Sequence, residues 1–275
     1  NCRSLASIVI PNGVTSIGES AFYYCDSLTS ITFEEESKLK SIGESAFYYC
    51  NKITSIIIPN GVTSIGNEAF WGCFRLVEVY NLSNLVITKG SYGNGCIGQY
   101  ALNIYNDTSI LSKLSIDNDG YLIYPEGDTK VLVAYTGTET KLMFPQGVTK
   151  MHNGAFCGCH SLMSIMLPNG MTSISFYAFD DCKSLSSIII PDSVTMIRNG
   201  AFRDCKSLKS VYYKGTETEW HKISFPFDKD YLTTATKYYY SESEPALNEV
   251  GTAYDGNYWH YDIDGKTIIV WEKQN

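Results

Sequence analysis

The sequence predicts a repeat solenoid, a stack of short coils that carries a parallel β-ladder. Three observations predict it. An Ala-Phe pair recurs at Ala21-Phe22, Ala46-Phe47, Ala69-Phe70, Ala155-Phe156, Ala178-Phe179 and Ala201-Phe202. A Cys stands three residues after each of those Phe, at Cys25, Cys50, Cys73, Cys159, Cys182 and Cys205. An L-x-x-I-x-I pattern, as in Leu185, Ile188 and Ile190, precedes the pair within a unit of about 23 residues. A period of that length is the mark of a stacked-repeat architecture.

The copy from Leu185 to Leu208 shows each element in order. Ile188 and Ile190 alternate with period two, which fits a short strand with one buried face. Pro191 lacks a backbone donor and stops the strand; Pro11, Pro59, Pro145 and Pro168 hold the same place. Asn-Gly follows at Asn12-Gly13, Asn60-Gly61 and Asn169-Gly170 and makes a turn. Val194 and Ile197 then give a second extended segment. The Ala-Phe pair and its Cys close the coil, read here as a helical turn. Phe47 to Phe70, Phe156 to Phe179 and Phe179 to Phe202 are each 23 residues apart, whereas Phe22 to Phe47 is 25, with Glu34-Glu35-Glu36 nearby as a bulge. A weaker copy runs from Ile97 to Leu102. One coil cannot bury its own apolar side, so coils stack and like residues become ladders.

Composition narrows the function. The 275 residues carry a net charge of −8, with 44% hydrophobic and 18% charged residues. That is enough apolar material for a continuous core, and it argues against disorder. An acidic chain without a basic patch is a poor nucleic-acid binder. No apolar run approaches the ~20 residues of a membrane-spanning helix, so no membrane insertion is expected.

Seven of the nine cysteines, Cys2 included, fall on one ladder; Cys96 and Cys157 stand apart. Zinc needs paired ligands that converge on one point, and Cys157-x-Cys159 is too tight. Ladder neighbours have parallel Cβ vectors, which disfavours disulfides. The ladder therefore reads as buried free thiols. Cys2 also places the first residues in mid-repeat, with further repeats or a cap expected before them.

The pattern loosens over about 81–145. Residues 81–98 read as a loop. Tyr121–Tyr124, Val131–Tyr135 and Leu142–Phe144 read as strands, forming a β-hairpin extension of one lengthened repeat. The solenoid is assigned to 1–210 and a β-rich capping region to 211–275. In the latter, Trp220, His221, Ile223 and Phe225 suggest a compact element. Tyr258–Asp262 and Thr267–Trp271 flank a hairpin turn. Solenoid ends need a cap; the aromatic tail suits that role, with carbohydrate binding as its alternative.

Catalytic, cofactor and metal sites are not expected. His152, His160, His221 and His260 form no ligand pair, and His152 is read as solvent-facing. Ser115, Asp117, Asp119, Gly120 and Glu126 match calcium-loop positions 1, 3, 5, 6 and 12. However, Ile123 occupies position 9 and the flanks read as strand, so an ordinary turn is favoured over calcium.

The candidate binding surface is the strand face. The residues before the central apolar position are Ser7, Ser30, Ser55, Ser164, Ser187 and Ser210, with Glu78 as the exception. Those after it are Val9, Thr32, Ile57, Tyr80, Met166, Ile189 and Tyr212. An outward ladder that is largely apolar marks a protein-binding stripe, unless β-propensity alone selects it or another part of the chain covers it.

The unit I-P-x-x-V-T-S-I-G-x-x-A-F-x-x-C-x-S-L-T-S resembles the BspA-like, or treponemal-type, leucine-rich repeats. Gly13–Gly18 with Ala21-Phe22, Cys25 and Leu28 is nearly a consensus copy. Val211–Thr216 and Gly256–Tyr261 resemble the C-terminal parts of such proteins in gut bacteria. The resemblance implies a right-handed leucine-rich-repeat solenoid and a non-enzymatic secreted or cell-surface protein of a host-associated microbe. Some relatives are adhesins for host matrix proteins such as fibronectin and fibrinogen, or for other bacteria. The expected partner is therefore a host matrix or bacterial surface protein, with carbohydrate or a spacer role as alternatives. Partner identity, oligomeric state, anchoring and repeat number are not encoded in these motifs.

Overall fold

The computed structural model describes residues 2–225, 231–248, 253, 254 and 256–271. The stretches 226–230, 249–252, 255 and 272–275 of the capping region lie outside the described residues. The chain packs as two compact units, Asn1–Leu114 and Ser115–Asn275. The division falls inside the irregular stretch 81–145. Residues beyond 210 continue the second unit.

In the first unit the strands Ser7–Ile10 and Ser30–Phe33 pair in parallel, Ile8 opposite Ile31 and Val9 opposite Thr32. A separate sheet joins Ser55–Ile58, Glu78–Asn81 and Asn103–Tyr105, also in parallel. The two sheets meet at the 25-residue interval. There the extra residues turn aside, Glu36 taking a left-handed φ of 55°, and the Glu34 carboxylate accepts the Asn12 N–H at 2.9 Å. The expected second segment forms its own ladder of Ser16–Ile17, Ser41–Ile42 and Ser64–Ile65.

The second unit opens with the expected hairpin, Tyr121–Glu126 antiparallel to Thr129–Tyr135. A seven-stranded sheet then runs Lys141–Met143, Ser164–Met166, Ser187–Ile190, Ser210–Tyr213, Thr236–Tyr240, Tyr258–Tyr261 and Ile268–Val270. All its pairings are parallel except the last, which is the expected terminal hairpin. The compact element is a short helix, Glu217–Trp220, with a reciprocal cap between Thr216 and Glu219. It buries Trp220 edge-on against Tyr213 at 5.3 Å.

Both cores are aromatic ladders. Phe22, Phe47 and Phe70 stack at 5.1 and 5.2 Å, and Phe156, Phe179 and Phe202 at 5.0 and 5.2 Å. Those spacings approach the distance between adjacent strands, so each coil contributes one ring to the stack of its unit. The cysteines contribute more than small apolar bulk. The thiols of Cys50, Cys73, Cys182 and Cys205 each donate to the carbonyl of the Phe one coil back, at 3.0–3.2 Å. Among the described residues the cysteines form no disulfide; Cys2 is exposed and Cys159 half-buried.

Two expectations need correction. The Ala-Phe segment is a string of turns, not a helical turn. Two residues per coil adopt left-handed φ, as Ser20 and Tyr24 do at 54°. The amides bond across coils (Phe22 N–H to Ala46 O at 2.7 Å, Tyr24 N–H to Tyr48 O at 2.8 Å), not up a helix. His152 is buried, because the hairpin strand Thr129–Tyr135 lies beside it and Leu132 O accepts its N–H at 2.7 Å.

Candidate interaction surface

The outward positions of the strand ladders form the site that the sequence singled out. In the first unit Val9 is 58% exposed and Ile57 41%, with Thr32 exposed beside Val9. They owe this to the pleat: Ile8, Ile10, Ile56 and Ile58 turn inward to the Phe ladder. Tyr80 does not join them. It is buried, its ring 5.0 Å from that of Tyr105 on the next strand. Beside it Glu78, fully buried, accepts hydrogen bonds from Ser112 Oγ at 2.6 Å and from Lys113 N–H at 3.0 Å. The chain after Tyr105 thus crosses the face and is pinned by the one carboxylate that breaks the serine ladder. A buried carboxylate needs such donors.

The second unit differs. Ile189 is buried, and Met166 and Tyr212 are half-buried. Their cover is the chain's own tail. Tyr212 stacks on Tyr238 at 5.2 Å and meets Trp259 edge-on at 5.7 Å. Trp259 has no exposed surface and donates its indole N–H to Tyr213 O at 2.9 Å. Tyr261 reaches Met166, with its hydroxyl 4.0 Å from the sulfur, and lies under Lys214, whose Nζ is 5.5 Å from the ring centre. Burial holds the Tyr212 and Tyr261 phenols above their ordinary range and lowers Lys214. The structure therefore brings the seven predicted residues into three settings: open (Val9, Thr32, Ile57), covered by the chain's middle segment (Tyr80) and covered by the tail (Met166, Ile189, Tyr212). The break at Glu78 was the one sequence signal of cover.

Other sites assemble less. The Asp117 carboxylate accepts the N–H groups of Asp119 at 3.1 Å and Tyr121 at 2.8 Å, closing a tight turn. Glu126 pairs instead with Lys150 at 3.1 Å. Both carboxylates are thus engaged in protein contacts, as an ordinary turn requires. Among the described residues no group of three or more His, Cys, Asp or Glu side chains could hold a metal ion. A hollow of about 560 Å³ lies at the hairpin, lined in part by Asn118, Asp119, Glu139 and Lys141. Its two tyrosines are committed to the backbone: Tyr121 donates to Met143 O at 2.7 Å, and Tyr135 accepts the Glu139 N–H at 3.1 Å. No helix among the described residues is long and apolar enough to cross a membrane.

No curated protein matches the chain. Among solved structures it is similar to a leucine rich cell surface protein of Faecalibacterium prausnitzii A2-165, at 25% identity and a TM-score of 0.36, covering 82% of this chain and 64% of that one. It is also similar to the pneumococcal vaccine antigen PcpA (18% identity, TM-score 0.31, 87% and 64% covered). A third likeness is to a leucine rich repeat protein of T. pallidum (19% identity, TM-score 0.28, 82% and 86% covered). The chain thus spans just under two thirds of the length of the first two. Six copies of the BspA type leucine rich repeat region match residues 1–118 and 134–235. With that match over most of its length, and with the stacked coils that the repeat requires, the chain belongs to the BspA-type leucine-rich-repeat family.

Proposed function

We propose that this chain is a non-enzymatic cell-surface binding module that holds a host matrix or bacterial surface protein on the open strand face of its first unit. One observation carries the reading: Val9, Thr32 and Ile57 remain exposed at ladder positions whose counterparts in the second unit are shielded by the chain itself. A face that elsewhere takes an aromatic segment is chemically fitted to take another. Its shallow, extended form suits a protein better than a small molecule. The residues Tyr80, Met166, Ile189 and Tyr212 then stabilise the units and do not contact the partner. The cell-surface setting is supported by family membership. The tail is read as a cap and not a sugar platform, because Trp220 and Trp259 are buried in it.

The test is binding of the full chain to immobilised fibronectin and fibrinogen, compared with a Val9→Asp, Ile57→Asp variant. The expected result is at least a tenfold loss of affinity with an unchanged melting curve. Equal binding by the variant would overturn the site assignment.

A further inference from the structure

The turns of the first unit hold a second feature, away from the strand face. The residue one after each repeat Phe is Tyr23, Tyr48 and Trp71 in the first unit, but Cys157, Asp180 and Arg203 in the second. The residue two after it is left-handed in every one of these coils. Gly72, Gly158, Asp181 and Asp204 fill that place at φ 76°, 72°, 59° and 56°. Gly and Asp tolerate this conformation. Tyr24 and Tyr49 occupy it at 54° and 57°, where a bulky side chain is disfavoured. Packing of the turn alone does not call for tyrosine, since four other coils close without it.

The rings form two columns. Tyr23 stacks on Tyr48 at 4.9 Å and 10°, and Tyr24 on Tyr49 at 5.0 Å and 6°. Trp71 extends the stripe to Tyr92, 6.0 Å away and 66% exposed. Gly72 lacks the Cβ that would stand 2.7 Å from the Tyr49 ring, so that ring lies on bare backbone. The same turns carry the exposed carboxylates Glu19, Glu44 and Glu68. Burial, then the neighbouring Tyr49, then Glu68, pushes the Tyr48 phenol up to about 12.

Ring faces that stack on each other are not available to the apolar face of a sugar. The stripe offers half-exposed rings and, on the same turns, exposed carboxylates. These accept hydrogen bonds from guanidinium and ammonium groups, which are all donor. Rigid tyrosines also lose little entropy on binding. We infer that the tyrosine stripe of the first unit, with Glu19, Glu44 and Glu68, is a second interaction surface that binds an arginine- or lysine-bearing protein segment.

The probe is a fluorescein-labelled peptide of alternating Arg and Ser, titrated with the full chain and read by anisotropy. The Glu19→Gln, Glu44→Gln, Glu68→Gln variant keeps the packing and removes the charge. A matched variant, Asp192→Asn, Asp204→Asn, Glu217→Gln, removes the same charge from the second unit. The expected result is at least a tenfold weaker complex for the first variant and less than twofold change for the second. Tyr23→Ser with Tyr48→Ser should also weaken binding, with circular dichroism confirming the fold. Equal loss in both charge variants would show attraction by net charge only and overturn the proposal, as would equal binding of a Glu-Ser peptide. The Val9→Asp, Ile57→Asp variant should bind the peptide normally, so this proposal and the strand-face reading fail separately.

Discussion

The two units solve the same surface problem in different ways. Each builds a strand face whose outward ladder is apolar. In the second unit the tail strand Tyr258–Tyr261 covers that ladder and Ile189 is 7% exposed; in the first, Ile57 at the matching position is 41% exposed. Cover in the second unit costs a whole aromatic segment. The first unit uses a short pass of chain, fixed at Glu78, and leaves the coils before it open. An apolar outward position in this repeat is therefore covered by the chain's own tail in one unit and left open to solvent in the other.

The largest effect that would break the comparison is loss of the cover. Trp259→Ala removes a fully buried indole and its bond to Tyr213. It should cost about 3–5 kcal/mol, read by urea unfolding, with faster amide exchange over Ser187–Ile190 and Ser210–Tyr213. An unchanged midpoint would mean that the tail does not hold the face.

The next effect is common to both units and serves as an internal control. Burial pushes the Cys50 thiol from 9.0 up to about 12, and raises Cys73 and Cys182 as well. The unfolded chain therefore releases these protons at lower pH than the folded one. Stability is complete below pH 9 and falls as pH rises from about 9 to 12, by about 1.4 kcal/mol for each tenfold difference in proton affinity between the folded and unfolded thiol. Thermal melts from pH 8 to 11 should show the decline, and Cys50→Ala or Cys182→Ala should flatten it similarly.

A smaller effect probes the middle segment. Glu78→Ala strips Ser112 and the Lys113 amide of their acceptor and should cost about 1–3 kcal/mol, with Tyr80 becoming more exposed to solvent quenching. The smallest is Ile57→Ser, within about 0.5 kcal/mol of the parent because it touches little, whereas Ile189→Ser should cost clearly more.

The coil itself was legible in the sequence. Phe, Cys, Pro and the period-two strand recur at about 23 residues within each unit, and stacking turns recurrence directly into ladders. Both hairpins were legible because their turns are local. The turn geometry around Ala-Phe was missed, since left-handed residues such as Tyr24 and Tyr49 are poor advertisements for that conformation. The covered positions were missed for a different reason. Tyr261 and Met166 are 95 residues apart, and no local pattern records a contact of that kind. Val9, Ile57, Met166 and Ile189 read alike as apolar outward residues, although two are open and two lie beneath the tail. His152 likewise looked solvent-facing, because its cover comes from a strand about twenty residues earlier.

Carbene footprinting of the full chain with mass spectrometry reads the open and covered strand faces in one experiment. Heavy modification is expected at Val9 and Ile57 and protection at Tyr80 and Ile189, with Ile189 becoming reactive in the Trp259→Ala variant. Equal labelling of Ile57 and Ile189 in the parent chain would contradict that expectation.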